Sequence, residues 1–428
     1  MATLNPDKHI CFCYKVKKRS IEPMPVFPHI RYLYVVREVY RHHRISAAAD
    51  IVHISQPAAT QSLARVEEQL GAQLFKRQPK GMFPTEIGKI FEGRLNRILE
   101  HLRRGDSQAR KKAARNDGAA PRQAFHRFCS PVQLRALIAI AKTGSFSQAA
   151  YELGVSQPGI HRALRELASL SGLTLFDQAR GGVELTAAAE VFTHQVRLAM
   201  SEFQQAAFEI NEHLGRDVTR INLGSLPLSR TAILPAAIDD LLKEVGVRVQ
   251  INCVDARYHA LLRDLRFGEL DFLLGALRHP QPANDVVQEE LFVDRLAVVV
   301  APDHPLTRKT SVTLQDTLAF PWIAPPRETP SGAYLAERLR IQDMAQTPVR
   351  IVSSSMVLLR GLLSRGDYIS IASRRQIEAE EQYGTLVQLP IELPESERPI
   401  GLTFRSGWTP TPVQQRFLEI IRQKAASG

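Results

Sequence analysis

Two short stretches of this chain place hydroxyl, amide and guanidinium groups along one side of a helix: SQPAATQSLAR from Ser55 and SQPGIHRALR from Ser156. In both, a serine that can cap a helix precedes a proline in the first turn, where the missing N–H costs little. Side chains at such a helix start can reach base edges in the major groove of duplex DNA, glutamine pairing with adenine and arginine with guanine. The candidate contacts are Ser55, Gln56, Pro57, Ala58, Thr60 and Gln61, with Arg65 further along, in the first stretch. The second stretch offers Gln157, Pro158, His161, Arg162 and Arg165. The competing reading of each residue is a solvated helix face. Downstream of the first stretch, Lys76, Arg77 and Lys80 are placed to neutralise phosphates, whereas the second has Asp177 and Gln178 at the matching place.

The elements that must carry these residues recur as a unit. Ser55 and Ser156 lie 101 positions apart, as do Phe75 and Phe176 in the "LF" pairs, and no gap is needed between them. At the same offset Ser46, Ala48, Ala49, Gly71, Gly81, Thr85 and Phe91 meet Ser147, Ala149, Ala150, Gly172, Gly182, Thr186 and Phe192. The chain therefore holds a tandem repeat of a small domain. Apolar spacing predicts a first helix from Ile30, a short second helix capped by Ser46, and a third helix burying Ala59, Leu63, Val66 and Leu70. His53 and Gly154 occupy the tight turns before the third helices. A glycine-containing hairpin follows each, giving a winged helix-turn-helix pattern.

A length of 428 residues suggests two to four domains, and 44% hydrophobic with 23% charged residues suggests a soluble globular chain. No apolar run is long enough for a membrane span, and the N-terminus lacks a secretory signal pattern, so a cytoplasmic protein with no membrane partner is expected. Four cysteines are too scattered for a disulfide framework, and Cys11 and Cys13 alone make a weak metal pattern. His259, His279 and His304 lack ligand spacing, so no metal is expected. The net charge of +11 is concentrated: residues 1–20 carry +4 and residues 101–127 carry +6. Such basic segments suit a polyanion, though a solvated tail and linker would look the same.

From Thr219 the texture changes to alternating strands and helices, which predicts a mainly parallel α/β domain of two lobes. Before it, residues 186–215 read as one long helix whose apolar surface, from Val191 to Leu214, exceeds what a small domain can cover alone. Pairing with a partner helix is expected, with packing inside the chain as the alternative. The resulting division is a basic extension (1–28), a winged helix-turn-helix (29–100), a basic linker (101–127), a second winged helix-turn-helix (128–187), a dimerisation helix (188–216) and an α/β domain (217–428).

This order, with "SQP" opening the third helix and "G-x-x-LF" after it, resembles the LysR-type transcriptional regulators. "GSLPLSRTAILP", "FGELDFLLGALR", "PWIAPPRETP" and "RPIGLTFRSGW" resemble the subgroup that includes galactose-binding-protein and protocatechuate-pathway regulators. The resemblance implies two tandem all-α winged helix-turn-helix domains, a long linker helix and a periplasmic-binding-protein-like effector domain. It implies double-stranded DNA as partner, assembly as a homodimer or homotetramer, contact with RNA polymerase, and a small co-inducer (a sugar, sugar acid or aromatic or organic acid) in place of a bound cofactor. Arg77 fits the arginine the family carries two residues after "LF"; the second copy departs there. The first copy is therefore expected to make the strong operator contacts and the second to make weaker ones or serve as a dimerisation scaffold, the reverse assignment resting on the second copy's direct link to the long helix. For the effector, Ser229, Arg230 and Thr231 precede one helix, Ser353, Ser354 and Ser355 precede another, and Thr329 lies on a rim. The same residues also suit ordinary helix capping. No nucleophile elbow, phosphate-binding loop or catalytic residue is found, so an enzyme is not expected. The alternative function is an architectural or anti-activator DNA-binding protein that ignores effectors.

Overall fold

The repeat offset is met by the start of each α-helix and strand of the two N-terminal units. The structure, a computed structural model, describes residues 26–117, 124–179, 182–216, 219–231 and 233–427. Most of the expected basic extension, with Cys11 and Cys13, lies outside them. The first unit comprises α1 (Ile30–His42), α2 (Ile45–Val52), α3 (Gln56–Leu70), the hairpin β1 (Phe75–Gln78) and β2 (Gly81–Pro84), and α4 (Glu86–Asp117). The second comprises α5 (Pro131–Thr143), α6 (Phe146–Leu153), α7 (Gln157–Ser171), β3 (Phe176–Ala179), β4 (Gly182–Leu185) and α8 (Ala187–His213). Local bonds repeat too. The Thr85 hydroxyl donates to the Gln73 carbonyl at 2.8 Å, and that of Thr186 to the Thr174 carbonyl at 2.7 Å, tying each hairpin to the start of its long helix.

Caps follow the sequence with one correction. Ser55 and Ser156 accept N–H bonds from Ala58 and Gly159, and His53 and Gly154 end the second helices in the left-handed conformation. Ser46 does not cap α2, which starts one residue earlier behind Arg44, without a side-chain cap bond; the equivalent position in the second unit is Ser145, which does cap α6. At Gly81, with φ of 139°, a Cβ would stand 2.6 Å from the His43 carbonyl oxygen, which accepts the Met82 N–H.

The segment expected to be a linker differs most. Residues 101–117 continue α4, and α4 packs along α8 within the same chain. Leu102, Ala109 and Ala113 extend the buried stripe of Phe91, Leu95, Ile98 and Leu99 beyond the boundary drawn at residue 100. Much of the basic charge there is locally paired, Arg103 and Arg104 with Glu100 and Arg110 with Asp106. Both units and the helix pair share one continuous apolar core from Phe27 to Ile210.

The C-terminal half holds two five-stranded sheets. In one, β5 (Thr219–Ser225), β6 (Val249–Asp255) and β7 (Phe272–Ala276) are parallel, and β14 (Arg398–Arg405) joins antiparallel between β7 and β8 (Val286–Asp294). In the other, β10 (Trp322–Ala324), β11 (Val349–Val352) and β12 (Ile369–Ser373) are parallel, while β9 (Leu296–Val300) runs antiparallel to β12 and β13 (Val387–Gln388). The expected strands from Arg220, Arg248, Asp271 and Arg295 are all present, in sheets more mixed than expected. Trp322 is fully buried and donates its indole N–H to the Thr317 carbonyl at 3.1 Å, while Trp408 stacks on Phe404, so both serve the core. Helix α9 (Ile233–Val245) packs against the C-terminal helix Pro412–Ser427.

Candidate nucleic-acid interface and effector site

The apolar stripe of α3 buries Ala59, Leu63, Val66 and Leu70, and this fixes what the opposite face shows. Ser55, Gln56, Pro57, Gln61 and Arg65 are exposed, and Ala58 and Thr60 are half-buried. The Thr60 hydroxyl donates to the Gln56 carbonyl at 3.0 Å, so its one proton is already used within the helix. Arg65 pairs with Glu68 at 2.9 Å, but both are exposed, a bond worth little and easily exchanged for a phosphate. Lys76, Arg77 and Lys80 stand exposed on the hairpin beside this helix.

On α7, Ile160, Leu164 and Leu167 are buried as expected, and Pro158, His161, Arg162 and Arg165 line one open concavity on the outer face. His161 is oriented by stacking on Phe146, centroids 3.8 Å apart. Gln157 accepts the Ser147 hydroxyl at 3.1 Å, so one of its amide atoms is already used. The hairpin beside α7 sets exposed Asp177 opposite Glu184, a pair of like charges where the first unit has Lys76 opposite Phe83. The two faces thus differ in kind: an amide and a basic wing on one, guanidinium groups and an acidic wing on the other.

In the C-terminal half, the expected effector residues follow the carboxyl ends of parallel strands: residues 226–231 after β5, 325–329 after β10 and 353–355 after β11. Their side chains are mostly occupied. Ser229 is fully buried and donates its hydroxyl to the carbonyls of Leu226 and Leu274, so it is removed as a ligand contact. The segment before α9 is a short 3-10 turn, Pro227–Arg230, that Thr231 closes by donating to the Leu228 carbonyl. Arg230 pairs with Asp255 across the ends of β5 and β6. Thr329 caps the short helix Pro330–Ala333, Ser355 caps the helix Met356–Leu363, and Ser353 accepts the Ser355 N–H. Ser354 is exposed.

The two lobes meet where the chain crosses between them. Arg398 donates two bonds to one Asp294 oxygen, at 3.0 and 2.8 Å, and a third at 2.5 Å to Ser331 of the other lobe. The remaining Asp294 oxygen accepts the Ser373 hydroxyl at 2.8 Å. Nearby, Arg278 at the end of β7 lies over the ring of Tyr258, 4.2 Å from its centroid. The Tyr258 hydroxyl is buried without a hydrogen-bond partner, and burial raises its pKa. Burial likewise lowers the pKa of the Arg278 guanidinium.

The model of the bacterial regulatory helix-turn-helix protein, lysR family, matches twice, over residues 30–89 and 131–190, and that of the LysR substrate binding domain matches residues 215–426. This chain is a member of the LysR family. HTH-type transcriptional regulator GalR of Pseudomonas putida is 28% identical over 381 residues, covering 89% of this chain and 93% of its own. PcaQ of Agrobacterium fabrum is 28% identical over 293 residues, covering 68% of this chain and 94% of its own. Among solved structures, a full-length OxyR variant from Pseudomonas aeruginosa superimposes with a TM-score of 0.49 at 20% identity, covering 69% of this chain and 93% of that one.

As a LysR-family DNA-binding transcriptional regulator, the chain joins a helix-turn-helix-rich region to a substrate-binding α/β domain. Tyr258, Arg278 and Arg398 were missed in the sequence. A usable signal exists for the first two: Tyr258 and Arg278 stand just beyond the strands INCVD and FLLGA, where open α/β sheets bind ligands. Arg398 starts an antiparallel strand, so only the sheet order brings it to the same end.

Proposed function

We propose that this LysR regulator contacts duplex DNA through tandem winged helix-turn-helix domains, residues 29–100 and 128–187, and that a small anion in the α/β domain modulates that binding. The observation that carries the reading is the pair of serine-capped helices, α3 and α7, each with its apolar stripe buried and its polar face open. Gln61 and Arg162 are the base-reading residues, Arg65, Arg77 and Lys80 the phosphate contacts. The chain acts by binding and not by catalysis, in the cytoplasm where the DNA lies, with RNA polymerase as a downstream partner. Among the described residues no helix is long and apolar enough to cross a membrane.

For the effector, an organic acid suits the ends of β6 and β7. Arg278 supplies the charge and the unpartnered Tyr258 hydroxyl a hydrogen bond, with exposed Ser354 a further contact from the other lobe. Calorimetry with aromatic acids and sugar acids, on the wild type and Arg278→Met, tests this. Binding lost in the variant is the expected result. If no acid binds and operator affinity ignores metabolites, the effector-independent architectural role holds instead, a reading favoured by the internal bonding of Ser229, Thr329 and Ser355.

A further inference from the structure

The pairing of α4 with α8 has the symmetry of a dimer interface, inside one chain. In a two-fold interface, if residue i of one half touches residue j of the other, then j of the first touches i of the second. The repeat offset allows that rule to be tested. Arg94 donates to Glu202 at 3.0 Å, and His101 bonds Gln195 at 2.9 Å. Gln195 is the counterpart of Arg94, and Glu202 the counterpart of His101, each 101 positions on. The two contacts are therefore the same contact seen from either half. The direction agrees: moving along α4 from Arg94 to Gly105, the α8 partners run backwards from Glu209 to Phe192, so the helices are antiparallel.

The side chains also specify unlike pairing. Arg94 is 1% exposed and sits between Glu202 and Glu209, with Arg97 adding a second bond to Glu202. Two copies of α4 paired in the same way would bury Arg94 against His101, without a carboxylate. Two copies of α8 would bury Glu202 against Gln195, without a cation. An unpaired buried charge is costly, so like-with-like association is disfavoured while α4 with α8 satisfies both.

We infer that one chain carries both halves of a DNA-binding dimer and reads two unlike half-sites in inverted orientation. This rests on the proposed DNA-binding reading of α3 and α7. Since both units have the same fold and hang from the two helices of a two-fold pair, α3 and α7 are related by that axis. The α3 half-site is read by Thr60 and Gln61 and favours adenine and thymine; the α7 half-site is read by Arg162 and Arg165 and favours guanine. The aligned positions make the difference explicit, with Thr60, Gln61 and Ala64 standing where His161, Arg162 and Arg165 stand in the second copy.

Selection of bound duplexes from a random pool, using the full chain, followed by native mass spectrometry of the complex, tests the inference. The expected result is one chain per pair of half-sites, whatever the number of chains on a longer operator, and a motif whose two halves differ. In the triple variant His161→Thr, Arg162→Gln, Arg165→Ala, the selected motif should become an inverted repeat of the half read by α3, the guanine preference falling about 10-fold or more. Two chains per pair of half-sites, or a wild-type motif that is already a perfect inverted repeat, would overturn the inference and leave DNA binding intact. No selection of any duplex would sink the DNA-binding reading and this inference with it.

Discussion

Arg94 is the residue on which most depends. Nearly all of its surface is buried, and it bonds Glu202, Glu209 and the Thr409 carbonyl of the effector domain. Replacing it with Met leaves carboxylates buried beside α4, and chemical denaturation should show a loss of about 3–5 kcal/mol. Arg94→Met combined with Glu202→Met should recover part of that loss, because the charges then left without partners, Glu209 and Arg97, are only partly buried and water reaches them. Asp271 gives a prediction in pH. It is buried between the Asn222 N–H and the Gln205 amide, and burial pushes its pKa up to about 6. A carboxylate whose folded pKa is raised favours the fold when protonated, so its contribution is greatest at low pH. Stability from this group falls between about pH 4 and 6, by about 3 kcal/mol, and is flat above. In Asp271→Asn that fall should vanish from denaturation curves measured across the same window.

At the scale of elements, two glycines of α4 behave oppositely. A Cβ at Gly93 meets nothing within 4 Å, so Gly93→Ala should raise the melting temperature through helix propensity alone, by about 1 kcal/mol of stability. At Gly105 a Cβ would come within 2.9 Å of the Gln195 Cβ, and Gly105→Ala should destabilise by about 1–2 kcal/mol by forcing α4 from α8. The repeat, the helices α3 and α7 and the parallel strands β5, β6 and β7 were legible because each rests on local pattern: a cap, a turn, an apolar period. The helix pair was not. Arg103, Arg104, Arg110, Lys111 and Lys112 made the second half of α4 look like a solvated linker, and the residues buried there at helical spacing, Gly105, Asp106, Ala109 and Ala113, are too small or polar to show an apolar period. Ser229 was misplaced for a related reason, since serine and threonine at helix starts serve capping and ligand binding with the same atoms.

For the whole molecule, charge and base reading separate experimentally. Arg77→Ala should weaken binding to all duplexes and lower the salt slope of log K by about 0.9, as expected for one lost phosphate contact. Gln61→Ala should leave that slope unchanged and cost about 1–3 kcal/mol, only on operators carrying its preferred base. Titrations at several salt concentrations distinguish the two. The contacts of α8 with the effector domain, Gln205 to Asp271, Ser201 to the Gly268 carbonyl and Arg197 to Glu269, tie the helix pair to the sheet whose far strand ends hold Tyr258 and Arg278.

The repeat at a fixed offset also changes how such a regulator can evolve. In an assembly of identical chains, one mutation in a recognition helix alters both halves together, and every target must change at both places to keep pace. Here α3 and α7 are encoded separately, so if both read DNA as proposed, each can drift while the other holds the protein on its existing targets. New promoters can then be recruited by changing one half at a time.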